Sequence, residues 1–278
     1  MATENALLTI LADKINNDTL VLPTLPAIAL KVRRAADDPE INLNAMADVI
    51  AQDPSLSARM IKISNSAYLG RAVKVISTQQ AVTRIGLRQI KNISTALAME
   101  QLFVSKNPIV KEHMEAAWDS TVEVVANSLA VLQVHVKKTK NRALNIDSVM
   151  LAALVHNIGI LPILTEAERH TEVFASPTFL EVAIKKLSGR IGASIMKEWG
   201  FEPEFVEVAE SWENMSVQYD GISYLDIVRL GAAFCGKFEE NKEVAFKAAI
   251  EKGVIDDLSE LLTDEFEEYK ASAKLIFE

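Results

Sequence analysis

The side chains that could take part in metal or acid–base chemistry are few, and the four histidines come first. His113 and His135 are expected on one long helix, and they lie too far apart to share an ion at about 1.5 Å rise per residue. His170 has charged neighbours, which is typical of a solvated helix face. His156 differs, because it ends the apolar run LAALVHNIGILPIL and is followed by Asn157. This pair is the first candidate site, although a hydrogen-bonded core histidine gives the same pattern.

The other reactive groups add little to that pair. The amide of Asn157 is a poor replacement for a carboxylate ligand, which weakens a metal site at His156. The single cysteine, Cys235, excludes a disulfide framework and a multi-thiolate metal site, and its apolar surroundings are typical of a core residue. No G-x-S-x-G turn, glycine-rich phosphate loop or GK[ST] motif occurs. We therefore expect no cofactor and no catalytic residues.

A second polar pair, Asn65 and Ser66, follows a helix made otherwise of core positions. We expect these side chains to cap that helix by hydrogen bonds to its last carbonyl groups. The alternative is that they line a cleft between two lobes, with His156 and Asn157 on the other wall.

Basic residues recur at helical spacing at Arg84, Arg88 and Lys91. A stripe at i, i+4 and i+7 is typical of a solvated helix face, and contact with an anion or a partner is the alternative. The β-branched residues of the preceding segment, Val73–Ile76, predict at most a short extended connector.

The elements that must position these residues are predicted to be helices throughout. Only 10 Gly and 8 Pro occur in 278 residues, and apolar residues recur at helical spacing nearly everywhere. Asp53–Pro54 is a strong helix start, and Asn107–Pro108 marks the best boundary. We therefore predict an all-α fold of two closely packed helical lobes, residues 1–106 and 107–278. Within the second lobe we expect helices at roughly 145–158, 166–174, 177–187 and 190–199.

Charge and hydropathy limit the function classes. The first 106 residues hold 12 Lys and Arg and 9 Asp and Glu, a net charge of +3, whereas the remainder hold 17 and 29, a net charge of −12. The net charge of −9 argues against non-specific nucleic-acid binding, because an acidic protein repels a phosphate backbone. We expect no signal peptide, no stretch approaching a membrane-spanning helix and a cytoplasmic protein.

Several motifs, in order along the chain, resemble the HDOD module, a helical bacterial signalling module related to HD phosphohydrolases. The resemblance covers roughly residues 18–215, and residues 216–278 carry no matching motif. It implies an HDOD fold whose second lobe is HD-like. The matching features are Leu25–Pro26, Asp53–Pro54 with Leu56, Asn65–Ser66, Ala81 before Ile85–Gly86, Trp118, His156–Gly159 and Trp199–Phe201.

The resemblance also implies where an active HD enzyme would hold its metal. The first histidine would fall at Ser120, and the His-Asp pair appears as His156–Asn157. The later aspartate would fall near Gly231–Ala233, where no carboxylate stands, and a further His-His pair of related modules would fall at Trp212–Glu213. We therefore expect a vestigial site that holds no metal.

These expectations favour a non-enzymatic module of bacterial signal transduction that acts by protein–protein interaction. The resemblance implies neighbours such as sensor kinases and cyclic di-GMP enzymes. The alternative is a metal-dependent phosphohydrolase with a non-standard site, in which His156 works with a distant histidine or a carboxylate such as Asp226. Nucleic-acid binding through the stripe of Arg84, Arg88 and Lys91 is a third, weaker reading.

Overall fold

The computed structural model describes residues 4–70, 72–140, 143–169, 177–238 and 241–277. No strand occurs in these ranges, and the prediction of an all-α fold is confirmed. Short 3-10 helices cover Met99–Leu102 and Leu258–Leu261. The α-helices are α1 (Glu4–Asn16), α2 (Ala27–Ala36), α3 (Leu43–Ala51), α4 (Pro54–Ser64), α5 (Thr78–Ile85), α6 (Leu87–Ala98), α7 (Pro108–Thr139), α8 (Ile146–Val155), α9 (Ile160–Ala167), α10 (Pro177–Glu198), α11 (Pro203–Ser211), α12 (Tyr224–Phe234), α13 (Lys242–Glu251) and α14 (Asp264–Lys274).

The helices form two groups that share one hydrophobic core. Helices α2–α6 pack on one another, and α6 then packs against α8 of the second group. In the second group the long helix α7 contacts α8, α12 and α14, while α10 packs against α9 and α11. Helix α1 packs against α9 and α10 of this second group. It is held there by an ion pair of 2.6 Å between Lys14 and Glu166.

Local capping and glycine geometry explain where α4, α6 and α7 begin. The Asp53 carboxylate accepts a hydrogen bond from the backbone N–H of Leu56 at 2.9 Å, with Pro54 at the first helical position of α4. Gly86 separates α5 from α6, because its φ of 85° lies in the left-handed region, which favours glycine. Asn107 caps α7 in the same way as Asp53 caps α4, which confirms both predicted helix starts.

One helix prediction for the second lobe is wrong, and another falls mostly on residues that the structure does not describe. The expected helices at 177–187 and 190–199 are one continuous helix, α10. The expected helix at 166–174 lies mostly outside the described residues, and α9 instead covers Ile160–Ala167. The turn at residues 156–159 therefore connects two short helices and fixes the position of His156.

A small interface joins the start of the first lobe to the turn before α11. The indole N–H of Trp199 donates to the carbonyl of Pro23 at 3.0 Å. The guanidinium of Arg33 lies 4.1 Å from the centre of the Phe201 ring and donates to the carbonyl of Gly200 at 3.4 Å. Pro23 and Arg33 thus meet the Trp199–Phe201 motif in space, although about 170 residues separate them in the sequence.

Candidate functional site

His156 lies at the C-terminal end of α8, in the interior of the protein. Its residue surface is 2% exposed, and its Nδ1 lies 2.6 Å from the carbonyl oxygen of Ala153. Since a carbonyl oxygen can only accept, Nδ1 carries the proton and donates. The edge of the ring packs against Trp212 with 4.6 Å between ring centres and an interplanar angle of 87°. Burial lowers the pKa of His156 to about 4, so the imidazole is neutral at pH 7.

Asn157 pairs with a residue that the sequence did not single out. Its Oδ1 lies 3.1 Å from the hydroxyl of Thr121, which also lies 2.7 Å from the carbonyl of Ala117 in the preceding turn of α7. Ser120, the position implied for the first metal ligand, is the half-buried neighbour of Thr121. The amide of Asn157 therefore joins the turn after α8 to α7 by a hydrogen bond.

The resemblance implies a later aspartate ligand near Gly231–Ala233, and at Gly231 a neighbouring helix leaves no room for a side chain. Gly231 of α12 lies so close to α7 that a Cβ atom there would be 2.4 Å from the Ser128 hydroxyl oxygen and 2.8 Å from the Ser128 nitrogen. Such distances are far below van der Waals contact, so any larger side chain would force the two helices apart.

Trp212 is held in place by Arg229, another residue that sequence reasoning missed. Arg229 is 6% exposed and donates to four backbone carbonyls at the end of α11 and in the loop after it. The acceptors are Ser211 at 2.8 Å, Trp212 at 3.3 Å, Asn214 at 2.6 Å and Val217 at 2.7 Å. Burial lowers the pKa of Arg229, and the nearby charge of Asp226 opposes this shift. The buried side of Trp212 thus covers His156 while its backbone is anchored to α12.

The donor atoms at this site do not fit a divalent metal ion. His156 supplies one imidazole, Asn157 a neutral amide that is already hydrogen-bonded, and Trp212 no ligand at all. Glu213 is exposed. Among the described residues no three His, Cys, Asp or Glu side chains come close enough to share an ion.

The alternative of a phosphohydrolase with a non-standard site needs a distant histidine or Asp226 beside His156. The structure places these residues elsewhere or outside the described residues. Asp226 caps α12 through Ser223 and forms an ion pair of 2.8 Å with Lys252. His135 is buried, with Nδ1 3.0 Å from the carbonyl of Val254. His113 is half-buried on α7, and His170 lies outside the described residues.

The other reactive side chain is Cys235. Burial raises the pKa of its thiol to about 11. At neutral pH the group is a thiol rather than a nucleophilic thiolate. This agrees with its interpretation as a packing residue.

Asn65 and Ser66 make the capping contacts expected of them and also border a groove. The Asn65 amide donates to the carbonyls of Ile61 and Val75 at 3.1 and 2.8 Å, and its oxygen accepts from the Val75 N–H at 2.8 Å. The Ser66 hydroxyl donates to the carbonyl of Ile63 at 2.7 Å. Both residues line a groove between α4 and α14, and neither His156 nor Asn157 lines it.

The basic residues of the predicted stripe lie on two helices. Arg84 ends α5 and donates to the carbonyls of Ser64, at 3.0 Å, and Val73. Lys91 of α6 forms an ion pair of 2.9 Å with Asp37, and Arg88 is exposed. Two of the three cations are thus used within the fold, and binding of an anion or partner by this stripe stays a prediction.

The buried imidazole predicts a specific loss of stability in acid. The folded-state pKa of His156, about 4, lies below the usual value of 6.5, so between these values only the unfolded chain takes up the proton. The free energy of unfolding should therefore have its full value above about pH 7. It should fall by about 3 kcal/mol as the pH drops to about 4. Urea unfolding across this range measures the effect.

The control for this pH dependence is His156→Gln, which removes the titrating group. Burial also raises the pKa of Asp147, but that residue is present in both proteins, so the difference between their curves isolates His156. Parallel curves for the two proteins between pH 7 and pH 4.5 would contradict a buried neutral imidazole.

One run is apolar enough to cross a membrane. Ile146–Ala167 contains an 18-residue window of mean hydropathy 1.8, so the expectation that no stretch approaches such a composition is wrong. However, 83% of the window is buried inside the fold, because α8 and α9 lie within the second group of helices. Such burial is typical of the core of a soluble protein, and the run is weak evidence for a membrane span.

Comparisons with known proteins place the chain in a family. The family model of the HDOD domain matches residues 22–215. The crystal structure of a protein from Shewanella amazonensis SB2B, named "Putative metal-dependent phosphohydrolase", is 40% identical, covers all of both chains and superposes with a TM-score of 0.94.

Two more distant proteins are also similar. A "Putative signal transduction protein" from Marinobacter aquaeolei VT8 shares 22% identity and a TM-score of 0.63 over 94% of this chain and 61% of that one. An "Uncharacterized protein" of Treponema pallidum is 24% identical in an alignment of 216 residues that covers 74% of this chain and 39% of that protein. The chain thus matches well under half the length of this curated relative. On the match over residues 22–215, the chain belongs to the HDOD domain family.

Proposed function

We propose that this chain is a non-catalytic regulatory module of bacterial signal transduction that works by binding other proteins. One observation carries the proposal: three positions at which the resemblance to HD enzymes implies metal ligands make packing or hydrogen-bond contacts here. His156 is covered by Trp212, Asn157 is bonded to Thr121, and Gly231 lies against the backbone of α7.

The signalling role is supported by the HDOD family itself and by the name of the Marinobacter aquaeolei relative. A module without its own chemistry must act through surfaces whose contacts change with the signal. We propose cytoplasmic protein partners, with sensor kinases and cyclic di-GMP enzymes as the classes to examine first. The net charge of −9 makes nucleic acid a poor partner.

A metal-dependent phosphohydrolase is the second candidate function. It is favoured by the name of the Shewanella amazonensis protein, which is 40% identical over the whole chain. Against it stands the donor set around His156, which offers one imidazole and no free carboxylate.

Hydrolysis assays separate the two candidates. The purified chain would be incubated with a phosphomonoester, a linear phosphodiester and a cyclic dinucleotide, each with Mn²⁺, Fe²⁺, Ni²⁺ or Zn²⁺. The proposal expects no hydrolysis above the metal-only control. Turnover that requires the protein and disappears in His156→Ala, but not in His113→Ala, would instead establish the enzyme.

The interaction half of the proposal is tested by cross-linking in the native cell followed by mass spectrometry. We expect the same signalling proteins to be recovered with the wild type and with His156→Gln, since the buried site would have no direct contact with a partner. Recovery of no protein above an unrelated acidic control protein would contradict action through binding.

A further inference from the structure

An apolar groove with a basic rim lies where the two groups of helices meet. It has a volume of about 610 Å³ and runs between α4 and the end of α14. Leu275 is 53% exposed at its edge. The apolar lining comes from Ala58, Ile61, Ala67, Leu275 and Ile276, and the cationic lining from Arg59, Lys62 and Lys74.

Two of the three cations in this groove pair with none of the residues that the structure describes. Arg59 is paired with Glu100. Lys62 and Lys74 are exposed and form no ion pair with any described residue. In a chain of net charge −9, unpaired cations around an apolar floor favour an occupant that is both acidic and partly apolar.

The groove continues into a second depression through Lys74, which lines both. This depression has a volume of about 530 Å³ and is lined by the connector Ala72–Val75 and by α5. Val73, which lines this depression, is 74% exposed, and Ile76, which follows the connector, is 75% exposed. The apolar surface therefore extends over two adjoining depressions, which is more than a single side chain would fill.

Helix α14 itself carries the complementary chemistry. Asp264 and Glu268 are exposed one turn apart, and neither forms an ion pair with any described residue. The same helix face continues, at i+4 and i+7 from Glu268, to Ser272 and Leu275, which line the groove. One face of α14 is thus acidic at its start and borders the basic groove at its end, about 15 Å away.

We propose that two copies of this chain form a twofold-symmetric dimer in which Asp264 and Glu268 of each copy enter the groove of the other, beside Lys62 and Lys74. Two antiparallel α14 helices bring the acidic half of one opposite the groove half of the other, and the symmetry makes the contact twice. In this register Asp264 faces Leu275 and Glu268 faces Ser272 of the other copy. The proposal does not rest on the regulatory function.

Analytical ultracentrifugation of the full chain between about 1 and 100 µM tests the dimer. The wild type is expected to dimerise in this range. The variants K62E/K74E and D264K/E268K are each expected to weaken dimerisation at least about tenfold, since like charges then face each other. Mixing the two variants should restore a dimer, because in the mixed pair both contacts again join opposite charges.

The matched control for K62E/K74E is K186E/K197E, which makes the same change in net charge at two exposed lysines of α10. It should dimerise like the wild type, and circular dichroism should show all variants folded. A wild type that stays monomeric at about 100 µM overturns the proposal. So does a dimer that is unaffected by the charge reversals, or a mixture that remains monomeric.

Discussion

Replacement of Arg229 by methionine is expected to lower the free energy of unfolding by about 3–5 kcal/mol, the largest effect of any single polar residue near the site. The side chain bonds four backbone carbonyls, at Ser211, Trp212, Asn214 and Val217. Methionine fills a similar volume but donates nothing, so the buried carbonyls among these acceptors lose their partner. Each such group costs about 1–3 kcal/mol.

Urea unfolding of Arg229→Met against the wild type measures this loss. Arg34→Met is the matched control, since Arg34 is exposed on α2 and should change stability by less than about 0.5 kcal/mol. Arg229→Lys should fall between them, because an ammonium group cannot span all four acceptors. A loss below about 1 kcal/mol for Arg229→Met would show that the loop after α11 does not depend on Arg229.

Replacement of Gly159 by alanine is expected to cost about 3 kcal/mol. A Cβ atom at this position would lie 1.9 Å from the carbonyl oxygen of Ser188 and 2.7 Å from the nitrogen of Gly192. Both neighbours are backbone atoms of α10, so relief requires the whole turn after His156 to move. That movement would also disturb the contact between His156 and Trp212.

Gly192→Ala is the control for this glycine, at a position of α10 whose two nearest neighbours are atoms of Ala209 in α11. Its Cβ would have neighbours at 3.2 and 3.3 Å, and alanine gains about 1 kcal/mol of helix propensity inside α10. We expect a net change within about 1 kcal/mol. Equal losses for the two variants would contradict the close packing of the His156 turn on α10.

Local signals predicted several helix boundaries well, between α4 and α7. Asp53–Pro54 and Asn107–Pro108 begin α4 and α7 through side-chain caps, and Gly86 separates α5 from α6. These boundaries depend on residues only a few positions apart in the chain. They can therefore be read without knowledge of the tertiary structure.

The error at α10 has a tertiary cause. Gly189 lies between the two helices expected at 177–187 and 190–199, and a Cβ there would lie 2.4 Å from the carbonyl oxygen of Glu210. The glycine thus allows α11 to approach closely and does not end the helix. Sequence alone cannot distinguish these two roles, because both need the absence of a side chain.

The candidate site was predicted only in part. His156 and Asn157 stood out as polar residues in an apolar run, and the capping reading of Asn65 and Ser66 agrees with their hydrogen bonds. Trp212 was named only as the implied position of a His-His pair, and Arg229 did not stand out. A tryptophan that covers a histidine and an arginine that bonds distant carbonyls have no local pattern; an arginine within the apolar helix YLDIVRLGAAF was the one available signal.

The metal content of the purified protein tests the central claim most directly. The chain would be produced without an affinity tag or chelators in medium containing iron, manganese, nickel and zinc, and measured by elemental mass spectrometry together with His156→Ala. Since His156, Asn157 and the backbone at Gly231 serve packing, we predict far less than one metal ion per chain, with no difference between the two proteins. Near-stoichiometric metal in the wild type that is lost in His156→Ala would contradict this account and establish a metal site at His156.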